Sequence, residues 1–430
     1  MKRIIILASV FCALLCSMVR AQETAIANNM KHPIFHRRGM MATSRTQQAV
    51  RISAPALPTY SNQIWQFGTY PGGTWAALEG INDFGVAVGF GDVPPLGKGP
   101  NGEGYTHTLA VPVFGLHAGE WIDLGTLGGE YSVDWEEPLN SISDTGLIVG
   151  HSATPSGYIH GAVWTQKTGM TDLGALADIG YTGYNGSFAM ATNRLGTLIV
   201  GWSGTDMNCL LGCSDALPVA WTPSGVWEKG KWITKWKIQK LDTAAFPDLT
   251  FWYPMAINDL GQIVAMAFTS DWAIGKPLLW NPQPDHKTWK LLELSSSPDF
   301  PNNLPFGIND RGEIAGATNS ADGSLWTPRL WKPLNSKRTR YSDAILLAIP
   351  EGFTGCEAAG INEFGDMTGD CYNDVVDQTT RWTTKDLTFS QIIDIGDGSE
   401  AWGVNNFGVA SVTYWDSNCP VSCGGAVQLH

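Results

Sequence analysis

The sequence predicts an all-β fold: a seven-bladed β-propeller of four-stranded antiparallel blades over residues 61–430, with an N-terminal strand completing the last blade. Three observations carry this. A short motif returns seven times, each interval between copies holds the same four strand signals, and the strand missing after the last copy stands ahead of the first.

The motif is a run of small residues, Ile, Asn-Asp or a close variant, any residue, Gly, and then an apolar strand. It reads GINDFGVAVG at 80–89, SISDTGLIVG at 141–150 and ATNRLGTLIVG at 191–201. It returns as AINDLGQIVA at 256–265, GINDRGEIAG at 307–316, GINEFGDMTG at 360–369 and GVNNFGVASV at 403–412. The glycines Gly85, Gly146, Gly196, Gly261, Gly312, Gly365 and Gly408 are 61, 50, 65, 51, 53 and 43 residues apart. Asn at the first turn position and Gly at the fourth fit a type I turn closing a hairpin, with the glycine at positive φ.

The strand before each turn and the strand after it are the first two signals. The third is a short strand ending in Trp164, Trp221, Trp280, Trp331 or Trp382, its place taken by 107–111 in the first repeat and 425–429 in the last. Pro218, Pro277 and Pro328 share one position in it, where no donor is required. The fourth is an alternating strand from Trp121, Met170, Trp236, Trp289, Ala344 or Gln391. The chain ends after the seventh third-type strand, and the missing fourth-type strand is NQIWQFG at 62–68. Pairing the two ends would close the ring and leave no open edge, whereas an open solenoid would give the swap no purpose. Small residues before the turns (Ala76, Ala77, Ala189, Ala256, Ala358) suit the crowded inner position.

Residues 1–21 read as a secretory signal peptide: Lys2 and Arg3, an apolar run over 4–19, and a small-x-small site at Val19-Arg20-Ala21. Residues 22–60 read as a leader or linker with Lys31, Arg37, Arg38, Arg45 and Arg51 against Glu23 alone. The chain has 27 basic and 40 acidic residues; eight of the former and one of the latter precede position 61, so the body carries about −20. That sign favours solubility and disfavours nucleic acid or anionic membrane surfaces as partners. No stretch after the signal approaches 18 apolar residues, so no nucleic-acid partner and no membrane insertion of the mature chain are expected. The expected location is extracellular, periplasmic or at the cell surface.

Six of eight cysteines remain after the signal, an even number that suits disulfides in an exported chain. Cys356 and Cys371 flank the sixth turn symmetrically and should face each other across its hairpin, give or take one residue for a bulge. Cys209 with Cys213, and Cys419 with Cys423, would each staple a loop. Without histidines near these pairs, no metal site is expected.

The sequences IND-x-G-x-IVG, HGAVW at 160–164 and WIDLGTLGGEYS at 121–132 resemble the bacterial "HAF" extracellular repeats, over about 71–430. Only His107 and His160 keep the family's histidine, and no copy reads His-Ala-Phe. The resemblance implies an exported repeat protein and brings no catalytic residue.

The Asn-Asp pairs lack the downstream acid of a calcium loop, and Arg194 and Asn406 replace the Asp in two copies, so they read as turn geometry. No cofactor is expected. Tryptophans outside the repeat positions (Trp135, Trp202, Trp252, Trp272, Trp402, Trp415) fall in apparent connections, beside Tyr184 and Tyr253. In a propeller the variable connections open on the face opposite the turns. The expected function is therefore a non-catalytic binding module, with Trp135, Glu136, Tyr184, Trp252, Tyr253, Trp272 and Trp415 contacting an extracellular glycan or peptide. The alternative is a carbohydrate-active hydrolase or lyase, for which Asp134, Glu136 and Glu137 are the densest carboxylates. No nucleophile elbow, phosphate loop or zinc motif points to an enzyme.

Overall fold

The structure, a computed structural model, describes residues 63–94, 105–129, 132–133, 141–205, 215–228, 231–271, 274–285, 287–297, 300–320, 324–396, 398–416 and 419–429. Residues 1–21 and 22–60 lie outside this set, as do Trp135, Glu136, Trp272, Cys209 and Cys213.

Among the described residues the chain is all-β apart from one 3-10 turn, Leu176–Ile179. Four separate sheets have four strands each, and a fifth has twelve. In the first sheet Ala76–Ile81, Val86–Val93, Tyr105–Pro112 and Ile122–Asp123 pair in chain order. The twelve-stranded sheet runs from Gly186–Thr192 to Ile345–Leu346. It consists of antiparallel runs joined by single parallel bridges, Ala216 to Phe251 and Gly275 to Asn302. The innermost strands Gly186–Thr192, Leu249–Ile257, Asn302–Ile308, Gly355–Ile361 and Gly398–Val404 pack against one another in succession, and Gly398–Val404 packs against Ala76–Ile81 in the first sheet. This is a propeller arrangement.

The end-swap is present. Ile64–Gly68 pairs antiparallel with Cys419–Gln428, Ile64 opposite Val427 and Trp65 opposite Ala426. Cys356 stands directly opposite Cys371, and the two form a disulfide with both side chains buried. Cys423 is buried and disulfide-bonded, while the side chain of Cys419 lies outside the described residues.

In every repeat but the second, the inner strand bulges just before its turn, between Leu78 and Gly80, Ala189 and Ala191, Pro254 and Ala256, Pro305 and Gly307, Ala358 and Gly360, and Ala401 and Val404. A bulge leaves one residue unpaired and re-aims its side chain. Met190, Met255, Phe306, Ala359 and Trp402 are aimed in this way into one shared apolar cluster. The innermost strands carry the expected small residues, Ala76, Ala77, Ala189, Ala256 and Ala358, all buried, and the bulges add larger side chains between them.

The Trp-ending strands tie neighbouring groups together. Trp221, Trp280, Trp331 and Trp382 are fully buried, and their Nε1–H groups donate to the carbonyls of Leu173, Asp242, Ser295 and Ala348, just after the preceding group's fourth strand. Burying the ring requires such a partner for its one donor. Two fourth-type strands are shorter than expected, Ile122–Asp123 and Ile345–Leu346. They are outermost, and short edges resist pairing with another chain.

Candidate functional site

Every motif turn closes as its residue types require. The glycine N–H donates to the carbonyl three residues earlier, from Gly85 to Asn82 at 3.1 Å through Gly408 to Asn405 at 3.1 Å. All seven glycines have φ between 67° and 83°. The Asn side chain does two jobs. Its Oδ1 accepts from its own turn, as from Val86 N–H at 2.9 Å for Asn82. Its Nδ2 donates to the next group's main chain at 3.0 Å: Asn258 to Asn309, Asn309 to Asn362, Asn362 to Asn405, Asn405 to Asn82 and Asn82 to Ser143.

The following residue forms a second layer. Asp83 N–H donates to Asp144 at 2.9 Å, Asp259 N–H to Asp310 at 2.8 Å and Asp310 N–H to Glu363 at 3.0 Å. Glu363 N–H donates to Asn406 at 2.9 Å, and Asn406 N–H to Asp83 at 2.8 Å. Arg194, in the Asp position, pairs with Asp83 and also with Asp144 at 2.9 Å. These side chains line a small cavity of about 50 Å³ at the axis. Burial and the neighbouring Asp310 charge raise the Asp259 carboxyl above the ordinary value, and burial raises Glu363. The carboxylates already serve as acceptors for main-chain amides, which is a structural role. Among the described residues no three His, Cys, Asp or Glu side chains are grouped to hold a metal ion.

The third turn residue points outward. Phe84, Leu195, Leu260, Phe364 and Phe407 are exposed, from 44% for Leu260 to 74% for Phe84. Thr145 and Arg311 take the other two places, also exposed. The hairpins joining third to fourth strands reach the same face, as Val113 N–H to the Gly85 carbonyl and Trp289 Nε1–H to the Gly261 carbonyl show. These hairpins and the adjoining strands expose Lys167, Lys287, Lys290, Lys337, Arg340 and Lys385, with Lys235 and Lys237 from the longest of them. Their exposed acids are Glu120, Asp285, Asp343 and Asp386.

The opposite face has the other sign. Strand ends and connections there expose Asp178, Asp242, Asp248, Asp271, Glu351 and Asp374, with Asp172, Glu293 and Asp394. No lysine or arginine among the described residues is exposed on that face; Lys276 is partly covered and pairs with Glu293 at 2.7 Å.

The aromatic residues expected on this loop face divide. Tyr184 is half-buried, and its hydroxyl donates to the Asp215 carboxylate; burial and that neighbour raise its pKa. Trp415 is half-buried at the end of its sheet, opposite Gly398. Trp252 and Tyr253 are corrected. They lie within the strand Leu249–Ile257, 1% and 4% exposed. Trp252 packs on Trp280 at 5.7 Å and donates to the Leu249 carbonyl, and Tyr253 belongs to the central cluster. Trp202 and Trp402 are likewise strand residues in that cluster. Pro254 sits at the bulge of this strand, where a strand tolerates proline.

The two repeat histidines each pair with an aspartate. His107 Nδ1 meets Asp123 at 2.7 Å and His160 Nδ1 meets Asp172 at 2.9 Å, each bridging third and fourth strands. Burial alone would raise the Asp123 carboxyl, but hydrogen bonds from His107 and Gly125 N–H hold it below its ordinary value. His160 Nε2 also meets the Asn185 carbonyl at 3.0 Å. Burial opposes the charge on this ring, yet Asp172 and that carbonyl raise its pKa overall. Both pairs are ties between strands.

No family model matches the chain, and no curated protein matches it in sequence. Solved structures similar to it include the β-propeller domain of the Trilobed protease from Pyrococcus furiosus, 9% identical with a TM-score of 0.49, covering 83% of this chain and 95% of that one. They also include Pyrococcus horikoshii acylaminoacyl peptidase, 10% identical with a TM-score of 0.45, covering 82% of this chain and 53% of that one. Trypanosoma rangeli sialidase is 11% identical with a TM-score of 0.40, covering 86% of this chain and 60% of the sialidase.

Proposed function

We propose that this chain is an exported, non-catalytic binding module of the HAF-repeat kind, a seven-bladed ring whose variable-loop face receives a cationic peptide segment. The twelve-stranded sheet counts as three blades on this reading, since its runs touch only through single bridges. The observation that carries the functional reading is the segregation of charge: exposed acids crowd the loop ends, while the exposed cations stand on the turn side. A one-signed face steers an oppositely charged partner and rejects acidic ones. Tyr184 and Trp415 add aromatic surface beside those acids. The hydrolase reading draws on Asp134, Glu136 and Glu137, which lie outside the described residues.

The test is a peptide panel graded in charge and aromatic content, titrated against the chain from Gln22 to His430. Lysine-rich members should bind saturably, weaken with salt, and weaken again in Asp248→Asn/Asp374→Asn. Equal binding of acidic and basic peptides would contradict the reading. Turnover of a polysaccharide, lost in Glu136→Gln, would replace it with the enzyme.

A further inference from the structure

We propose that the turn face docks the protein on an anionic lipid surface, with Phe84, Leu195, Leu260, Phe364 and Phe407 entering the headgroup region and the hairpin cations meeting lipid phosphates. This is independent of the loop-face reading and uses the opposite side of the molecule.

The apolar tips are equivalent positions of one repeat, held at one level by the same turn-to-turn hydrogen bonds. They therefore form a flat crown, which fits a planar surface. Five such side chains, each about half exposed, present apolar area on the order of 500 Å², the size of a functional patch. Around them stand exposed Lys167, Lys287, Lys290, Lys337, Arg340 and Lys385, which outnumber the exposed acids of the same face, Glu120, Asp285, Asp343 and Asp386. Apolar tips ringed by cations are the recipe for interfacial binding to anionic lipid.

The first described residue, Gln63, lies on the same side. Gln428 N–H donates to the Gln63 carbonyl at 2.8 Å, while its side chain donates to the Phe407 carbonyl at 2.9 Å, so position 63 stands beside a crown residue.

The negative net charge does not forbid this contact. Most exposed acids lie at the far ends of strands of about six residues, roughly 20 Å away, and the Debye length at physiological salt is about 8 Å. The net charge sums both faces, and the turn carboxylates Asp83 and Asp144 are paired with Arg194. A second copy is a poorer occupant, since two turn faces would oppose lysine to lysine and carboxylate to carboxylate. No helix among the described residues is long and apolar enough to cross a membrane, so the contact is peripheral.

The test mixes the chain from Gln22 to His430 with vesicles of phosphatidylcholine, or of phosphatidylcholine with phosphatidylglycerol, and measures co-sedimentation. The expected result is binding only to vesicles with phosphatidylglycerol, lost at high salt. Phe84→Ser/Phe364→Ser/Phe407→Ser should weaken it roughly tenfold or more with melting unchanged; Phe84→Ser alone gives a smaller loss if the triple variant folds poorly. Lys337→Glu/Arg340→Glu should weaken binding, and Asp248→Asn/Asp374→Asn should not. Absence of binding overturns the proposal, as does wild-type affinity in the crown variants, which would assign the contact to the N-terminal segment. A wild-type dimer in sedimentation velocity that the triple variant abolishes also overturns it, in favour of a second copy.

Discussion

The side-chain amide of Asn405 donates to the main-chain carbonyl of Asn82 at 3.0 Å, across 323 residues of sequence. It repeats, between the last turn and the first, the bond that Asn258, Asn309 and Asn362 make to their successors. The repeated motif is therefore more than a hairpin turn. It is the clasp by which five of the seven groups hold the next.

Asn405→Ala should destabilise the fold by about 3 kcal/mol, because it strands the Asn82 carbonyl and the Phe407 and Val409 amides together. Asn193→Ala should cost less. The Nδ2 of Asn193 turns to Thr197 in its own turn, so no bond between groups is lost. Denaturant unfolding of the two variants gives the comparison.

Trp252→Ala should lower stability by about 3–5 kcal/mol, as for any large buried aromatic. Phe84→Ser should change it by less than about 0.5 kcal/mol, since that ring makes no buried contact worth keeping. Thermal melting separates them. An unchanged melting temperature in Trp252→Ala would restore Trp252 to the loop face.

His160 sets a pH dependence. Its folded pKa is raised above the ordinary 6.5 by Asp172 and the Asn185 carbonyl, against burial. Its stabilisation is therefore complete below the unfolded value and fades as pH rises through the folded one. His160→Gln should lose stability at mildly acidic pH and approach the parent in alkaline buffer, measured by urea unfolding across that window.

Asp259→Asn should raise stability at neutral pH by roughly 0.5 kcal/mol. Burial and Asp310 disfavour its charge, and an amide oxygen still accepts from Leu195 N–H, as Asn406 accepts from Glu363 in its own copy. The folded pKa is raised, so the penalty operates above it and is relieved on acidification. The gain should shrink as pH falls through that value.

Much of the fold was legible in the sequence because it follows from local chemistry. Positive-φ glycines mark the turns, symmetry about Asn362–Gly365 places Cys356 opposite Cys371, and the stray strand at Ile64 reveals the swap. The clasp was hidden because its acceptor, the carbonyl of Asn82, belongs to every residue type and becomes a partner only once the ends meet. The burial of Trp252, Trp202 and Trp402 was hidden for another reason: they lie inside strands that extend past the repeated motif, Leu249–Ile257, Ile199–Gly204 and Gly398–Val404, where the residue pattern suggested connections. Composition gave the total charge, while its division between Lys337 on one face and Asp374 on the other needed the direction of each strand.

Calorimetric titration of the Gln22–His430 chain with a lysine-rich, tyrosine-containing peptide and its glutamate-rich counterpart tests the loop-face claim most directly. The account predicts saturable binding of the lysine-rich peptide alone, weakened by salt and by Asp248→Asn/Asp374→Asn but not by Phe84→Ser on the turn face. Equal affinity for both peptides, or full affinity in the loop-face variant, would contradict it.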